Sequence, residues 1–227
     1  MNFKAFLLLI TIGFYSCSDS NSESKKDGKY TDNAETLFTK ITAENSSISF
    51  ENKINQTNDF NFMNYMYIYT GAGVAVGDID NDGFEDIYFV SNFGPNKLYK
   101  NKGNFSFEDI TTTSKTEDYT GFSSGATMLD VNNDGWLDIY ISKAGALSDN
   151  DARRNLLFVN QKDGTFKEAA KNWGIDDPGY TTQTYTIDYD KDGDLDLYIV
   201  NHRYDFQNNG TINTELQSQI EEITSDQ

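Results

Sequence analysis

Oxygen-bearing side chains recur at a fixed spacing in three nine-residue segments of this chain, which cover residues 78–86, 130–138 and 188–196. Their sequences are DIDNDGFED, DVNNDGWLD and DYDKDGDLD. A glycine at position 6 accepts a left-handed backbone, so the chain can turn sharply there and bring the oxygens of positions 1, 3 and 5 to one point. Carboxylate and carbonyl oxygens are the ligands that Ca²⁺ prefers. The three segments therefore predict up to three Ca²⁺ sites.

The predicted ligands are the side chains at positions 1, 3, 5 and 9 and the backbone carbonyl at position 7. They are Asp78, Asp80, Asp82, Phe84 and Asp86 in the first loop, Asp130, Asn132, Asp134, Trp136 and Asp138 in the second, and Asp188, Asp190, Asp192, Asp194 and Asp196 in the third. The alternative is an Asp- and Gly-rich hairpin turn without metal. Recurrence of the five positions in three segments favours the metal site.

An EF-hand would show the same D-x-D-x-D-G start but needs a bidentate Glu at position 12 and flanking helices. Position 12 is Phe89, Ile141 or Ile199 in the three loops. The segments beside the loops are rich in β-branched and aromatic residues, which is typical of strands. Each loop is therefore predicted to join two adjacent strands.

The loops belong to a larger repeat, because 52 residues separate Asp78 from Asp130 and 58 separate Asp130 from Asp188. Residues 96–101 (NKLYKN) resemble 155–160 (NLLFVN), and 105–110 (FSFEDI) resemble 165–170 (TFKEAA). One unit thus reads as strand, loop, strand, strand, strand, which is a four-stranded antiparallel sheet. The units lie near 71–115, 123–171 and 183–227.

The second strand of each unit is a continuous apolar run, so both of its faces should be buried between other layers. Four-stranded sheets packed around an axis form a β-propeller, and small residues such as Gly73, Ala75 and Gly77 suit a crowded inner strand. We predict an all-β fold, a partial β-propeller with about two and a half blades. A β-sandwich or a linear array is the alternative.

The segments 73–90 (GVAVGDIDNDGFEDIYFV) and 125–142 (GATMLDVNNDGWLDIYIS) resemble FG-GAP/VCBS repeats. The intervening NKLYKNKG and FEDIT resemble the variant found in bacterial ASPIC/UnbV-type surface lipoproteins, of which the chain would be an N-terminal fragment. The resemblance covers roughly residues 37–203. It implies a propeller of about seven blades, like the integrin α head, with Ca²⁺ between the first two strands of certain blades.

The net charge of −18 argues against nucleic acid as a partner, because affinity for phosphates comes largely from Lys and Arg.

Few residues are candidates for a catalytic role. His202 is the single histidine and Cys17 the single cysteine, and His202 at a strand end suits a structural hydrogen bond better than a general base. No catalytic residue is predicted, and the chain is not expected to be an enzyme.

Residues 1–16 contain one Lys and an apolar core of about ten residues, which is typical of a signal peptide. Cys17 follows at once and resembles a lipoprotein acceptor. An ordinary secretory signal or an uncleaved anchor is the alternative. Residues 17–36 read as a lipidated polar tether and 37–227 as the repeat region. These features predict an exported outer membrane lipoprotein that faces the cell surface or the periplasm and meets the membrane only through its lipid.

The sequence therefore predicts a scaffold that binds calcium and serves in binding or adhesion, with a protein or a glycan as its ligand. The alternative is a non-catalytic repeat region of a larger extracellular hydrolase or lyase.

Three local structural predictions accompany the functional one. Residues 37–42 should form an outer strand, the aromatic residues Phe60, Phe62, Tyr65, Tyr67 and Tyr69 should belong to the core, and Leu216, Ile220 and Ile223 should lie on one face of a helix. Open blade faces should also favour association.

Overall fold

The computed structural model describes residues 38–58, 60–145 and 149–202. The first sheet contains strands β1 (Val74–Gly77), β2 (Asp86–Phe89), β3 (Lys97–Asn101) and β4 (Phe107–Asp109). The second contains β5 (Phe122–Leu129), β6 (Asp138–Ala144), β7 (Leu156–Asn160) and β8 (Phe166–Glu168). The third contains β9 (Thr181–Ile187) and β10 (Asp196–Asn201). All neighbouring strands are antiparallel and follow chain order.

Within the described residues, three one-turn helices and two 3₁₀ turns accompany the sheets. They are α1 (Ala43–Ser46), α2 (Thr111–Ser114), α3 (Ala170–Trp173), and the 3₁₀ turns Met66–Tyr69 and Asp151–Arg153. No helix in the described ranges combines the length and apolarity needed to cross a bilayer. The fold is the predicted one, a partial β-propeller with four-stranded antiparallel blades.

Strand register places each predicted calcium loop at the same point of its blade. The last residue of the inner strand pairs with the ninth loop residue in all three cases: Gly77 with Asp86, Leu129 with Asp138, and Ile187 with Asp196. Each loop therefore closes the hairpin between the first and second strands. The prediction that the loop joins two adjacent strands is confirmed.

The blades pack face to face through apolar layers. Between the first and second blades the layer includes Tyr88, Leu98, Ile139, Ile141 and Phe158. Inner strands approach closely, because a Cβ on Gly73 would lie 2.7 Å from the Cα of Gly125. A Cβ on Gly77 would lie 2.6 Å from Cδ1 of Leu137. These contacts account for the small residues of the first inner strand.

Two local predictions were wrong. Residues 38–42 form neither helix nor strand and lead into α1, while Leu37 lies outside the described residues, as do Leu216, Ile220 and Ile223. In the aromatic segment, the alternation of Tyr65, Tyr67 and Tyr69 suggested a strand, but Met66–Tyr69 is a 3₁₀ turn. Tyr65 is buried in the core, whereas Tyr69 is 58 % exposed, because a turn cannot keep alternate side chains on one face as a strand does.

One recurrent element was missed. A helical turn follows β4 and β8, and each ends on a residue with positive φ, Lys115 and Gly174. The turn α1 ends in the same way on Ser47. We call the chain from each turn to the next blade a trailing segment, and these three segments begin at residues 43, 111 and 170. The short Thr- and Ala-containing turns carry no periodic signal, so the sequence did not reveal them.

Candidate calcium sites

The backbone of each loop turns through two left-handed residues. The glycines at position 6, Gly83, Gly135 and Gly193, have φ of 88°, 83° and 96°. Position 4 is also left-handed, with φ of 58° at Asn81, 55° at Asn133 and 65° at Lys191. The glycine turn was predicted, and the second left-handed residue is Asn in the first two loops, a residue that tolerates this conformation.

In the first two loops, the first aspartate caps that turn, whereas in the third the N–H of Asp192 donates to Asp190. Asp78 Oδ1 accepts a hydrogen bond from the backbone N–H of Asp82 at 3.1 Å, and its Oδ2 accepts one from Gly83 at 2.8 Å. Asp130 makes the same two bonds in the second loop, at 2.9 and 2.7 Å. Position 1 therefore shapes the loop as well as offering oxygens to a cation.

The ninth residue ties the loop to the blade. Asp86 is fully buried and accepts hydrogen bonds from the N–H groups of Ile79 at 3.0 Å and Asn101 at 2.8 Å. Asp138 repeats this pattern with Val131 and Asn160. Burial, with a smaller repulsion from the neighbouring carboxylates Asp80 and Asp82, raises the pKa of Asp86 to about 6. A buried carboxylate among other carboxylates is the electrostatic situation that a divalent cation relieves.

Positions 1, 3 and 9 come together. Carboxylate oxygens of Asp78, Asp80 and Asp86 lie within 4.8 Å of one another. The same three positions converge in the third loop, at Asp188, Asp190 and Asp196. The second loop has Asn132 at position 3, so an amide oxygen stands in place of one carboxylate there.

Two oxygens in these clusters have no hydrogen-bond partner among the described residues. They are Oδ1 of Asp80 and Oδ1 of Asp188, and both are shielded from solvent. An unpartnered carboxylate oxygen is costly, and a bound cation would satisfy it. The donor set and these two atoms fit Ca²⁺.

Position 5 acts as a second cap. Asp82 Oδ1 accepts a hydrogen bond from the N–H of Phe84 at 3.0 Å, and Asp134 does so from Trp136 at 3.0 Å. This hydrogen bond, together with the ammonium of Lys100, holds the pKa of Asp82 below its usual value. In the third loop Asp192 accepts a hydrogen bond from Asp194 at 3.1 Å. Calcium ligation by all five positions stays a prediction, and positions 5 and 7 are not part of the carboxylate cluster that the structure brings together.

Lysines beside the first two loops were missed by sequence reasoning. Lys100 Nζ contacts Asp80 and lies 3.3 Å from Oδ2 of Asp82. Lys162 Nζ lies 3.2 Å from Oδ2 of Asp134. No ion pair reaches the third loop within the described part of the chain. The three sites therefore differ in the positive charge beside them, which the similarity of the loop sequences conceals.

Two other residues were considered for chemical roles, Cys17 and His202. Cys17 lies outside the described residues. His202 is surrounded by aromatic rings, with its Nε2 3.0 Å from the hydroxyl oxygen of Tyr65 and its ring centroid 4.8 Å from that of Tyr67. Such packing is typical of a histidine that holds structure together.

The loop geometry and the blade topology agree with a match between residues 78–141 and 144–199 and the FG-GAP-like repeat family. The matched residues number 120 of 227, more than half of the sequence. The chain belongs to the FG-GAP-like repeat family.

Relatives of this FG-GAP-like chain include cartilage acidic protein 1 from three animals. The Xenopus tropicalis protein is 31 % identical over 139 residues, which cover 60 % of this chain and 20 % of the relative. The Homo sapiens protein is 27 % identical over 147 residues, covering 59 % of this chain and 21 % of the relative. The chain thus spans about a fifth of the length of these two relatives.

Proposed function

We propose that this chain is a calcium-stabilised, non-catalytic binding scaffold. The observation that carries the proposal is the convergence of three carboxylates at loop positions 1, 3 and 9, seen at Asp78, Asp80 and Asp86 and again in the third loop. Membership of a repeat family supports a scaffold rather than an enzyme. A fold of this kind hosts many functions, so the ligand must be sought at the protein's surface.

Calcium would link the two strands that each loop joins. Asp78, directly after β1, and Asp86, at the start of β2, would both hold the ion, and Asp80 would supply its unpartnered oxygen. The ion would neutralise carboxylates that repel one another in its absence. Binding free energy would then appear as stability of the blade.

The partner we propose is a protein or a glycan, and the net charge of −18 disfavours nucleic acid. Export with a lipid on Cys17, and a location at the outer membrane, remain part of the proposal. They rest on the apolar core of residues 1–16 and the cysteine directly after it. A non-catalytic region of a larger extracellular hydrolase or lyase is the second candidate.

The test is the effect of Ca²⁺ on thermal unfolding, compared with Mg²⁺ and with EDTA. Extracellular calcium modules bind at about 10⁻⁴ to 10⁻³ M, so about 10 mM Ca²⁺ should stabilise by about 1–3 kcal/mol for each occupied site. Asp80→Ala should remove the share that belongs to the first loop. Glu85→Ala is the matched control, because Glu85 is an exposed acid of the same loop that is not a predicted ligand.

Equal melting in Ca²⁺ and EDTA would refute the calcium proposal. A response that Mg²⁺ reproduces fully would indicate general screening of the acidic surface instead of a shaped site. Calorimetric titration would give the number of ions bound, with three as the upper limit set by the loops.

A further inference from the structure

The first and second loops contact each other across the boundary between their blades. The side-chain amide of Asn81, at position 4 of the first loop, donates a hydrogen bond to the carbonyl of Gly135, at position 6 of the second loop. The donor and acceptor atoms are 3.1 Å apart. Both residues are exposed, so this bond joins the two loops at the protein surface.

The acceptor belongs to a peptide group that already shapes the second loop. The carbonyl of Gly135 shares this group with the N–H of Trp136, which donates to Oδ1 of Asp134 at 3.0 Å. Because a peptide group is planar, fixing the carbonyl also fixes the N–H that holds Asp134. Gly135 in addition donates its own N–H to Oδ2 of Asp130 at 2.7 Å. Asn81 thus contacts the residue through which two predicted ligands of the second site are held.

A buried residue makes a second connection between the same loops. Asn160, the last residue of β7, is 5 % exposed. Its Nδ2 donates to the carbonyl of Ile79 in the first loop at 2.8 Å and to that of Leu137 in the second loop at 3.1 Å. Its backbone N–H donates to Oδ1 of Asp138 at 2.8 Å. Since Ile79 lies between two predicted ligands of the first site, Asn160 links both sites through their backbones.

The equivalent asparagine of the second loop does not form the surface bond. Asn133 occupies position 4 of that loop, and its φ of 55° is close to the 58° of Asn81. In the described part of the chain, Asn133 donates no hydrogen bond to the third loop. An asparagine with this backbone conformation therefore does not produce such a bond by itself. The surface link belongs to the first two loops, and Asn133 offers a matched control for it.

An ion in the first loop would fix both connections. In the absence of an ion the carboxylates of a loop repel one another, so the loop is held less firmly. An ion bound on both sides of Ile79 would fix that residue, and also Asn81, which follows the ligand Asp80. A second ion would then meet a loop that is already partly ordered and would lose less conformational entropy on binding. Repulsion between the two ions acts in the opposite direction, but physiological salt screens it with a Debye length of about 8 Å.

We propose that the first and second sites bind Ca²⁺ cooperatively, coupled through Asn81 and Asn160. This inference rests on the proposed function, since it requires calcium in both loops. Occupation of either site would tighten binding at the other about tenfold, and by linkage the effect is equal in both directions. The two sites would therefore fill over a narrower range of Ca²⁺ concentration than two independent sites.

Calorimetric titration with Ca²⁺ in about 0.15 M salt measures this coupling. The starting chain carries Asp190→Ala, which removes a carboxylate of the third cluster and leaves the first two loops intact. Adding Asp80→Ala leaves the second site alone, and adding Asn132→Ala leaves the first site alone, both through position 3. We define the coupling factor as the product of the two association constants of the starting chain divided by the product of the two single-site constants. It should be about ten, whereas a factor of one would overturn the proposal.

Substitution of the surface link gives the sharper test. Asn81→Gly, with its own single-site chains, should lower the coupling factor to about three, because it removes one of the two connections. Glycine accepts the left-handed backbone at position 4, so the loop keeps its shape. Asn133→Gly makes the same change in the second loop and should leave the factor at about ten. A factor that Asn81→Gly does not lower, or that Asn133→Gly lowers equally, would overturn the assigned link.

The titrations separate a failure of the coupling from a failure of the proposed function. If neither the starting chain nor the single-site chains bind Ca²⁺, the calcium-binding function itself is wrong, and the coupling with it. If the starting chain binds two ions with a coupling factor of one, the calcium sites stand and only the cooperative link is refuted. Two ions bound with a factor of about ten support both.

Discussion

Replacing Lys143 by methionine should lower the free energy of unfolding by about 3–5 kcal/mol, because it breaks a buried ion pair between blades. Lys143 lies in β6, and its partner Asp118 lies in the trailing segment of the first blade. Their side chains are 1 % and 4 % exposed. Lys143 Nζ is 3.0 Å from Oδ2 of Asp118 and 2.8 Å from Oγ1 of Thr120.

The magnitude follows from what the substitution leaves behind. Methionine conserves most of the volume but removes the cation, so Asp118 stays buried without its counter-ion. In a domain of this size each kcal/mol lowers the melting temperature by about 2–4 °C, so the expected shift is about 6–20 °C. The third blade shows how a neutral residue can still satisfy this buried aspartate in part. Asn201 is equivalent to Lys143 and donates to Asp177 at 2.7 Å, so Lys143→Asn should cost less than Lys143→Met.

Urea denaturation at fixed Ca²⁺ measures these differences. The matched control is Lys97→Met, which breaks an ion pair of 2.8 Å with Asp109 whose side chains are 33 % and 38 % exposed. A surface pair of this kind contributes about 1 kcal/mol or less. The reasoning would be refuted if Lys143→Met cost no more than Lys97→Met, or if Lys143→Asn were the more damaging of the two variants at that position.

Three further predictions concern other parts of the chain. Lys100→Met should lower the melting temperature in EDTA, because the ion pairs with Asp80 and Asp82 are lost, but should tighten Ca²⁺ binding at the first loop about tenfold, because an ammonium beside these carboxylates repels a divalent cation. Calorimetry that shows weaker Ca²⁺ binding by the variant would contradict this. Radioactive fatty acid should label wild-type protein in a bacterial host and not Cys17→Ala, and label on the variant would disprove lipidation. Burial raises the pKa of Tyr65 to about 12, so the stability it contributes is complete below pH 10 and is lost as the pH rises through 12, and Tyr65→Phe should flatten that decline in urea titrations.

The sequence predicted the parts of this fold that depend on backbone chemistry repeated in register. Glycines at 83, 135 and 193 mark left-handed turns, and apolar runs mark the second strands, so the hairpins around the loops were placed to within a residue or two. The turn was expected to gather positions 1, 3 and 5, and the structure groups Asp78 and Asp80 with Asp86 of position 9. These features depend on residues that lie close together in the chain, so they can be predicted from a single sequence.

Features that depend on contacts between distant residues were not predictable. Lys100 reaches Asp80 across 20 positions, and nothing in the repeat pattern distinguishes it from the exposed Lys102. The strand expected at 37–42 rested on similarity to the segment that contains β4, yet a strand needs a partner with which to pair. The described residues supply none for 38–42, so that stretch leads into α1 without joining a sheet.

The loop structure joins metal binding to blade packing through adjacent residues. Asp78 and Asp80 point toward the carboxylate cluster, and Ile79 between them is buried against the next blade. The carbonyl of Ile79 also accepts a hydrogen bond from Asn160 of that blade, while its N–H donates to Asp86. An ion that fixes the two aspartates would therefore also fix Ile79 in the apolar layer between the first two blades. Calcium in such a loop would stabilise the contact between blades as directly as the hairpin, which would account for an acidic loop at the edge of an apolar interface.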